Sequence, residues 1–312
     1  MLKYFNERSK CPCCNSDHVS ELLRLEWGNK ILLDLFKYRK FPTDFIKEAS
    51  YILMECNRCC LIYQRYAPNN QLSYMIYNEW LKKRRLANIF DYSFNPYTIK
   101  RTITNFSQIN QLLNCFHPDS SKLKVLDFGM GWGGWCKAAQ LMGLEVYGTE
   151  ISQSQIEFAK TQGLKVIDYQ DIPNYNMDII NLEQVLEHVE SPYQLLSYLV
   201  KSLSSQGLIQ ISVPNARYVK KYLNKNMKSE YFYAKGKKYS LNSIEPLQHV
   251  NAFNYESLIY IGKLLGLKEY RKNGNYYKDN IKLLTFKNLL INYLNRYIPI
   301  NRKRTNIIFQ KK

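Results

Sequence analysis

Three groups of residues in this chain have types and spacings suited to chemistry. The first is Val125-Leu-Asp127-Phe-Gly129-Met-Gly131-Trp-Gly133-Gly134, an apolar run that enters a glycine-rich turn. Glycines there let the backbone approach a ligand, and a following helix offers free N–H groups to a negative group. About twenty residues on, a second apolar run ends in Glu150, where a carboxylate can hold both hydroxyls of a ribose. A third run, Leu164 to Ile167, ends in Asp168-Tyr169, beside the expected position of an adenine amino group. These features point to an adenosine-containing cofactor. The glycines alone fit a dinucleotide or S-adenosylmethionine. Asp127 favours the second, because a carboxylate is awkward beside a pyrophosphate and tolerable beside a sulfonium.

The second group is six cysteines within the first sixty residues, out of eight in the chain. Cys11 with Cys14, and Cys56 with Cys59, each form a C-x-x-C pair that presents two thiolates from one tight turn. Two such pairs make a closed four-sulfur site, structural rather than catalytic, with zinc favoured over an iron–sulfur cluster or a redox pair. Cys13 and Cys60 are spare thiols that could replace a ligand. Cys115 and Cys136 read as packing residues. The third group is Glu187-His188, after a fourth apolar run, and His249. Either histidine could remove a proton from an acceptor, and Glu187 could orient the ring or polarise a hydroxyl. His18 and His117 read as surface residues.

The elements that must position these groups divide the chain in three. Residues 1–68 form the cysteine module, and the segment between its pairs carries strands and a helix of its own. Residues 69–120 read as an amphipathic helical lead-in or lid, closed by a linker at Pro118 to Ser121. Residues 121–312 alternate strands and helices, an α/β pattern with the ligand crevice at the carboxyl edge of the sheet. Residues 216–250 read as an insertion over the site, and 272–305 as a basic amphipathic insertion. Ser191-Pro192 is expected to open one helix and Gly266 to end another.

The central motifs resemble class I S-adenosylmethionine-dependent methyltransferases. Val125 to Gly134, Gly148 to Ser152, Asp168 to Pro173, Met177 to Ile180, Leu186 to Val189 and Val213 to Asn215 occur in that family's order. The resemblance spans about Lys122 to Leu267 and implies a Rossmann-like seven-stranded sheet. It implies that Asp127, Gly129, Gly131 and Gly133 hold the methionine part, Glu150 the ribose, and Asp168 with the Tyr169 backbone the adenine. With the cysteine module in front, the chain is similar to sugar-nucleotide C-methyltransferases, in which the Glu-His pair after the fourth strand is catalytic. It departs from them at the C-terminus, where they carry a further large domain.

Composition bounds the partners. In 312 residues, 44 Lys and Arg against 26 Asp and Glu give a formal charge of +18. That field suits a phosphorylated, nucleotide-linked or glycan-linked acceptor. Three alternatives stay open: an RNA or DNA methyltransferase gripping phosphates, an NAD-dependent oxidoreductase, and a non-catalytic zinc-binding scaffold that keeps only the fold. No run reaches the length of a membrane span, and the N-terminus lacks the apolar stretch of a signal peptide. A cytoplasmic enzyme is expected, with peripheral membrane contact open to the basic amphipathic segment. A carbon and an oxygen acceptor both fit these residues.

Overall fold

The computed structural model describes residues 2–43, 48–81, 96–115, 123–223, 227–233, 240–270 and 304–311. His117, the linker at 118–121 and nearly all of 272–305 lie outside the described residues. The strands, in chain order, are β1 (Phe5–Glu7), β2 (Val19–Glu26), β3 (Ser50–Cys56), β4 (Ile62–Gln64), β5 (Tyr66–Pro68), β6 (Lys124–Phe128) and β7 (Glu145–Thr149). There follow β8 (Lys165–Val166), β9 (Met177–Glu183), β10 (Leu203–Pro214), β11 (Asn251–Ala252), β12 (Leu267–Glu269) and β13 (Arg304–Lys311).

Seven of them form one sheet in the order β12-β13-β10-β9-β6-β7-β8. β13 runs antiparallel to both neighbours, and the pairs from β10 to β8 are parallel. The middle strands are apolar almost throughout, as strands covered on both faces must be. Val125, Leu126, Ile179, Ile180, Leu182, Ile209 and Ile211 are all fully buried. The chain order reverses between β6 and β9, and that switch opens a crevice at their carboxyl ends.

Local signals set most helix ends. The helix Gly134–Leu141 starts from Gly133, whose φ of +74° only glycine adopts readily. Pro192 opens the helix Pro192–Lys201 as expected, but Ser191 makes no side-chain cap bond. Asn254 and Ser257 form a reciprocal capping box on the helix Tyr255–Leu264, and Gly266 follows it at φ +69°. The helical pattern after Pro68 resolves into a short α-helix (Asn70–Tyr74), a π-helical turn (Met75–Trp80) and a long helix (Pro96–Leu113).

The N-terminal strands build a second sheet, β11-β4-β3-β2, and its edge strand β11 comes from the far end of the chain. Asn251 pairs with Tyr63 and Ala252 with Ile62. Residues from the 216–250 segment join the same core: Val219, Phe232 and Ile244 pack with Leu32, Leu35, Phe36 and Tyr51. A second core runs from Cys11, Cys56 and Leu61 to Leu196, Phe253 and Leu258, so the cysteine module is packed onto the large sheet. Among the described residues no helix is long and apolar enough to cross a membrane.

Candidate active site and cysteine centre

The glycine loop follows β6. Gly129, Gly131 and Gly133 all have positive φ, at 71°, 58° and 74°. The amides of Gly129 and Met130 donate to Thr149 O at 2.9 and 3.0 Å, which ties the loop to the end of β7. A Cβ on Gly129 would meet Val185 Cγ2 at 2.9 Å, and one on Gly133 would collide with Leu164. At Gly131 nothing lies closer than Gln155 Nε2 at 3.9 Å, so this position opens outward. Glu150 grips the loop: its Oε2 accepts from Gly131 N at 2.9 Å, and its Oε1 from Ile151 N and Ser152 N at 2.8 and 3.0 Å.

Asp127 sits apart from this rim. Its side chain is buried in β6, where it accepts from Asn181 Nδ2 at 2.8 Å and from the Cys136 thiol at 3.6 Å. Gln210 Nε2 in turn donates to Asn181 Oδ1 at 3.1 Å. Burial pushes the Asp127 carboxyl up to about 7. Cys136 therefore contacts a residue expected to serve the cofactor, although the sequence reads it as packing alone.

Asp168 is exposed at the end of β8 and precedes a 3-10 turn at Tyr169–Asn174. Tyr169 stacks on Tyr198 with centroids 4.6 Å apart, and Phe128 meets its edge at 6.1 Å. Tyr198 donates to Tyr169 O at 2.7 Å. Phe128 and Tyr198 were not expected here, because partners drawn from a strand end and from the helix Pro192–Lys201 leave no local sequence pattern.

The residues at this rim fit an adenosyl group. There is an open glycine position, a carboxylate on the next strand and an aromatic platform beyond it.

Glu187, His188 and His249 come together. One ligand atom from each lies within 4.8 Å of the others. Glu187 is 1 % exposed, and its Oε1 lies 3.9 Å from His188 Nε2. The imidazole centroids are 4.8 Å apart. His188 Nδ1 is 2.7 Å from Gln248 O, and His249 Nδ1 bonds Asn242 O. A carbonyl only accepts, so each Nδ1 carries the proton and each Nε2 of the neutral ring keeps its lone pair. The hydroxyl of Tyr77, in the π-helical turn, is 2.9 Å from the same His188 nitrogen. Such turns recur at functional sites, but the sequence marks this one only as part of an amphipathic stretch.

His188 lines a cavity of about 180 Å³ together with Ala67, Pro68, Tyr77, Leu247 and Val250. His188 N bonds Val185 O at 2.9 Å, and Val185 is the residue that crowds Gly129. The histidine turn and the glycine loop are therefore neighbours at one sheet edge.

Cys11, Cys14, Cys56 and Cys59 converge, with their sulfurs within 4.8 Å of one another. Cys11 Sγ is 3.5 Å from Cys59 Sγ, and Cys14 Sγ is 3.5 Å from Cys56 Sγ. A disulfide needs about 2.05 Å, whereas a tetrahedral ion with Zn–S bonds of about 2.3 Å holds sulfurs about 3.8 Å apart. Crowding and burial push the Cys11, Cys14 and Cys59 thiols up, while backbone N–H groups and neighbouring thiols bring Cys56 down. Cys13 is buried outside the tetrad, and Cys60 is exposed at φ +61°. His18 is exposed, as expected.

A family model described as "Methyltransferase domain" matches residues 95–268, more than half of the chain. The chain belongs to this family. Residues 95–268 are its methyltransferase domain, which carries most of the seven-stranded sheet. The chain is 34 % identical over 103 residues to a ubiquinone biosynthesis O-methyltransferase of Bartonella quintana, covering 30 % of this chain and 42 % of that one. The corresponding protein of Rickettsia conorii is 27 % identical over 172 residues, with 52 % and 59 % covered. The chain thus spans about half the length of the curated relatives it matches. A crystal structure of magnesium protoporphyrin IX methyltransferase from Synechocystis PCC 6803 with bound SAH shares the fold. Its TM-score is 0.50 at 15 % identity, covering 78 % of this chain and 100 % of that one.

Proposed function

We propose that this methyltransferase acts on an oxygen of a small acceptor, with His188 as the base and His249 and Glu187 beside it. The cofactor supplies a methyl group already activated for displacement, so the protein's task is alignment and proton removal. Glu150 and the loop Gly129 to Gly133 hold the ribose and the methionine part. Asp168 and Tyr169 flank the adenine, and Asp127 supports the loop from beneath.

The main support for the base is the tautomer of the two rings. With Nδ1–H held by a backbone carbonyl, His188 offers Nε2 to an acceptor hydroxyl in the cavity. Once protonated, that nitrogen has the buried Glu187 carboxylate 3.9 Å away to steady its charge. O-methylation is favoured by the names of the relatives, and the cavity suits a small ring rather than a polymer strand. Carbon methylation of a nucleotide-linked sugar is the second reading, favoured by the cysteine tetrad ahead of the catalytic domain.

In this reading, residues 1–68 form a module whose four cysteines hold a structural zinc ion. Residues 69–120 cover the site, and 121–312 form the catalytic domain. Its 216–250 segment packs into the module core through Val219, Phe232 and Ile244 and lends Leu247, His249 and Val250 to the site.

The test is methyl transfer from labelled S-adenosylmethionine to a panel of small phenols and nucleotide-linked sugars. His188→Gln should cut turnover by about 10²- to 10⁴-fold, the usual contribution of a general base, and leave cofactor affinity unchanged. Turnover that survives His188→Gln and falls in His249→Gln would move the base to His249.

A further inference from the structure

The two histidines ride on two loops, and three side chains clamp both loops to the cysteine module. Arg8, 7 % exposed, donates from Nη1 to Glu190 O at 3.0 Å and to Asn251 Oδ1 at 2.8 Å. It donates from Nη2 to Val250 O at 2.7 Å and from Nε to Gln64 O at 3.0 Å. Asn251, fully buried, turns its amide nitrogen to Leu186 O at 3.0 Å and Val189 O at 2.6 Å, on either side of Glu187-His188. Gln64 Nε2 donates to His249 O at 2.9 Å and Glu245 O at 3.1 Å. The loop at 186–190 is thus held at three carbonyls, and the loop at 245–250 at three more.

We infer that Arg8, acting with Gln64 and Asn251, is a positioning residue that couples the cysteine centre to the geometry of the histidine pair. This rests on the base reading of the histidines and the metal reading of the cysteines given above. Arg8 lies just ahead of Cys11 and Gln64 just after Cys59, so both clamps spring from the ends of the cysteine turns. Every acceptor of the guanidinium among the described residues is a neutral oxygen. The nearby Glu190 carboxylate and the Cys11 sulfur act on this buried cation as counter-charges.

Four thiolates around one divalent ion carry a net charge of about minus two. Arg8 also stacks over Tyr63, with its guanidinium carbon 5.2 Å from the ring centroid, and Tyr63 shares a core with Cys11, Cys56 and Cys59. The bond that sets the His188 tautomer runs to Gln248 O, inside the clamped 245–250 loop. A shift of one loop against the other breaks it. Loading the cysteine centre therefore fixes which imidazole nitrogen faces the acceptor.

The test uses the full zinc-loaded chain with nitrogen-15 histidine. Long-range NMR correlations identify the tautomer of each ring, and His188→Gln and His249→Gln assign the signals. In the wild type both rings should be Nδ1–H. Arg8→Gln, or zinc withdrawn by a chelator, should move His188, His249 or both toward the Nε2–H form of a free imidazole. Affinity for S-adenosylmethionine by calorimetry should persist. Arg8→Lys, which keeps the charge and loses the fork, should fall between them. If Arg8→Gln does not fold, Gln64→Ala should shift His249.

Unchanged tautomers in Arg8→Gln and Gln64→Ala overturn the clamp. Unchanged tautomers after zinc withdrawal overturn its coupling to the metal. A tautomer change accompanied by lost cofactor affinity marks general unfolding and also overturns it. Full turnover in both histidine variants would instead sink the base reading while leaving the clamp intact.

Discussion

Asp127 stands at the centre of the sheet with its carboxyl closed in by Asn181 and Cys136. Burial lifts it from the ordinary 3.8 to about 7, so the native state keeps a proton that the unfolded chain releases. Its effect on stability has a defined sign. Below about pH 4 both states are protonated, between about 4 and 7 only the native one is, and above about 7 neither is. Stability therefore falls as pH rises across that window and is level on either side. Asp127→Asn keeps an acceptor for Asn181 and carries no charge. The variant should melt with the wild type at about pH 4 and at a higher temperature above about pH 7. Equal melting temperatures throughout would mean that the carboxyl ionises freely in the native state.

At the level of elements, the glycine loop separates two requirements that a motif merges. Gly133 has positive φ and no room for a methyl group against Leu164, so Gly133→Ala should cost about 1–3 kcal/mol of stability in denaturant unfolding. Gly131 also has positive φ but has room for a methyl group, its nearest neighbour being Gln155 Nε2 at 3.9 Å. Gly131→Ala should stay closer to wild type in stability and lose cofactor affinity. The reverse order would place the ligand elsewhere. Strand ends were legible because each closes an apolar run with Asp, Glu or Gly at the edge of the sheet. The cap at Asn254 and the π-helical turn at Met75–Trp80 were not, since propensity does not register a single reciprocal hydrogen bond or one extra residue per turn. The pairing of β11 with β4 was also hidden, because two residues meeting a strand from the other end of the chain leave no periodicity to read.

For the whole molecule, the cysteine module and the methyltransferase domain share cores and a sheet, so the metal should stabilise more than the module itself. One zinc ion per chain is expected by elemental analysis, in keeping with the single four-sulfur cluster among the described residues. Cys56→Ser should lose it and lower the melting temperature of the entire chain in one transition. Two separate transitions would show that the module folds alone. The grouping of the cysteines was readable at a distance of 42 and 48 residues because thiol pairs signal themselves by spacing. The clamp of Arg8 was not, since an arginine just past a strand end looks like any other surface charge.

The decisive measurement is calorimetric titration of S-adenosylmethionine, S-adenosylhomocysteine and NAD into the wild type, Glu150→Ala and His188→Gln. Both sulfur compounds should bind the wild type and His188→Gln alike and NAD should not. Glu150→Ala should weaken them by about 10- to 100-fold, as expected for hydrogen bonds to a charged group. Undiminished binding to Glu150→Ala, or preference for NAD, would contradict the placement of the cofactor on the loop between Asp127 and Glu150.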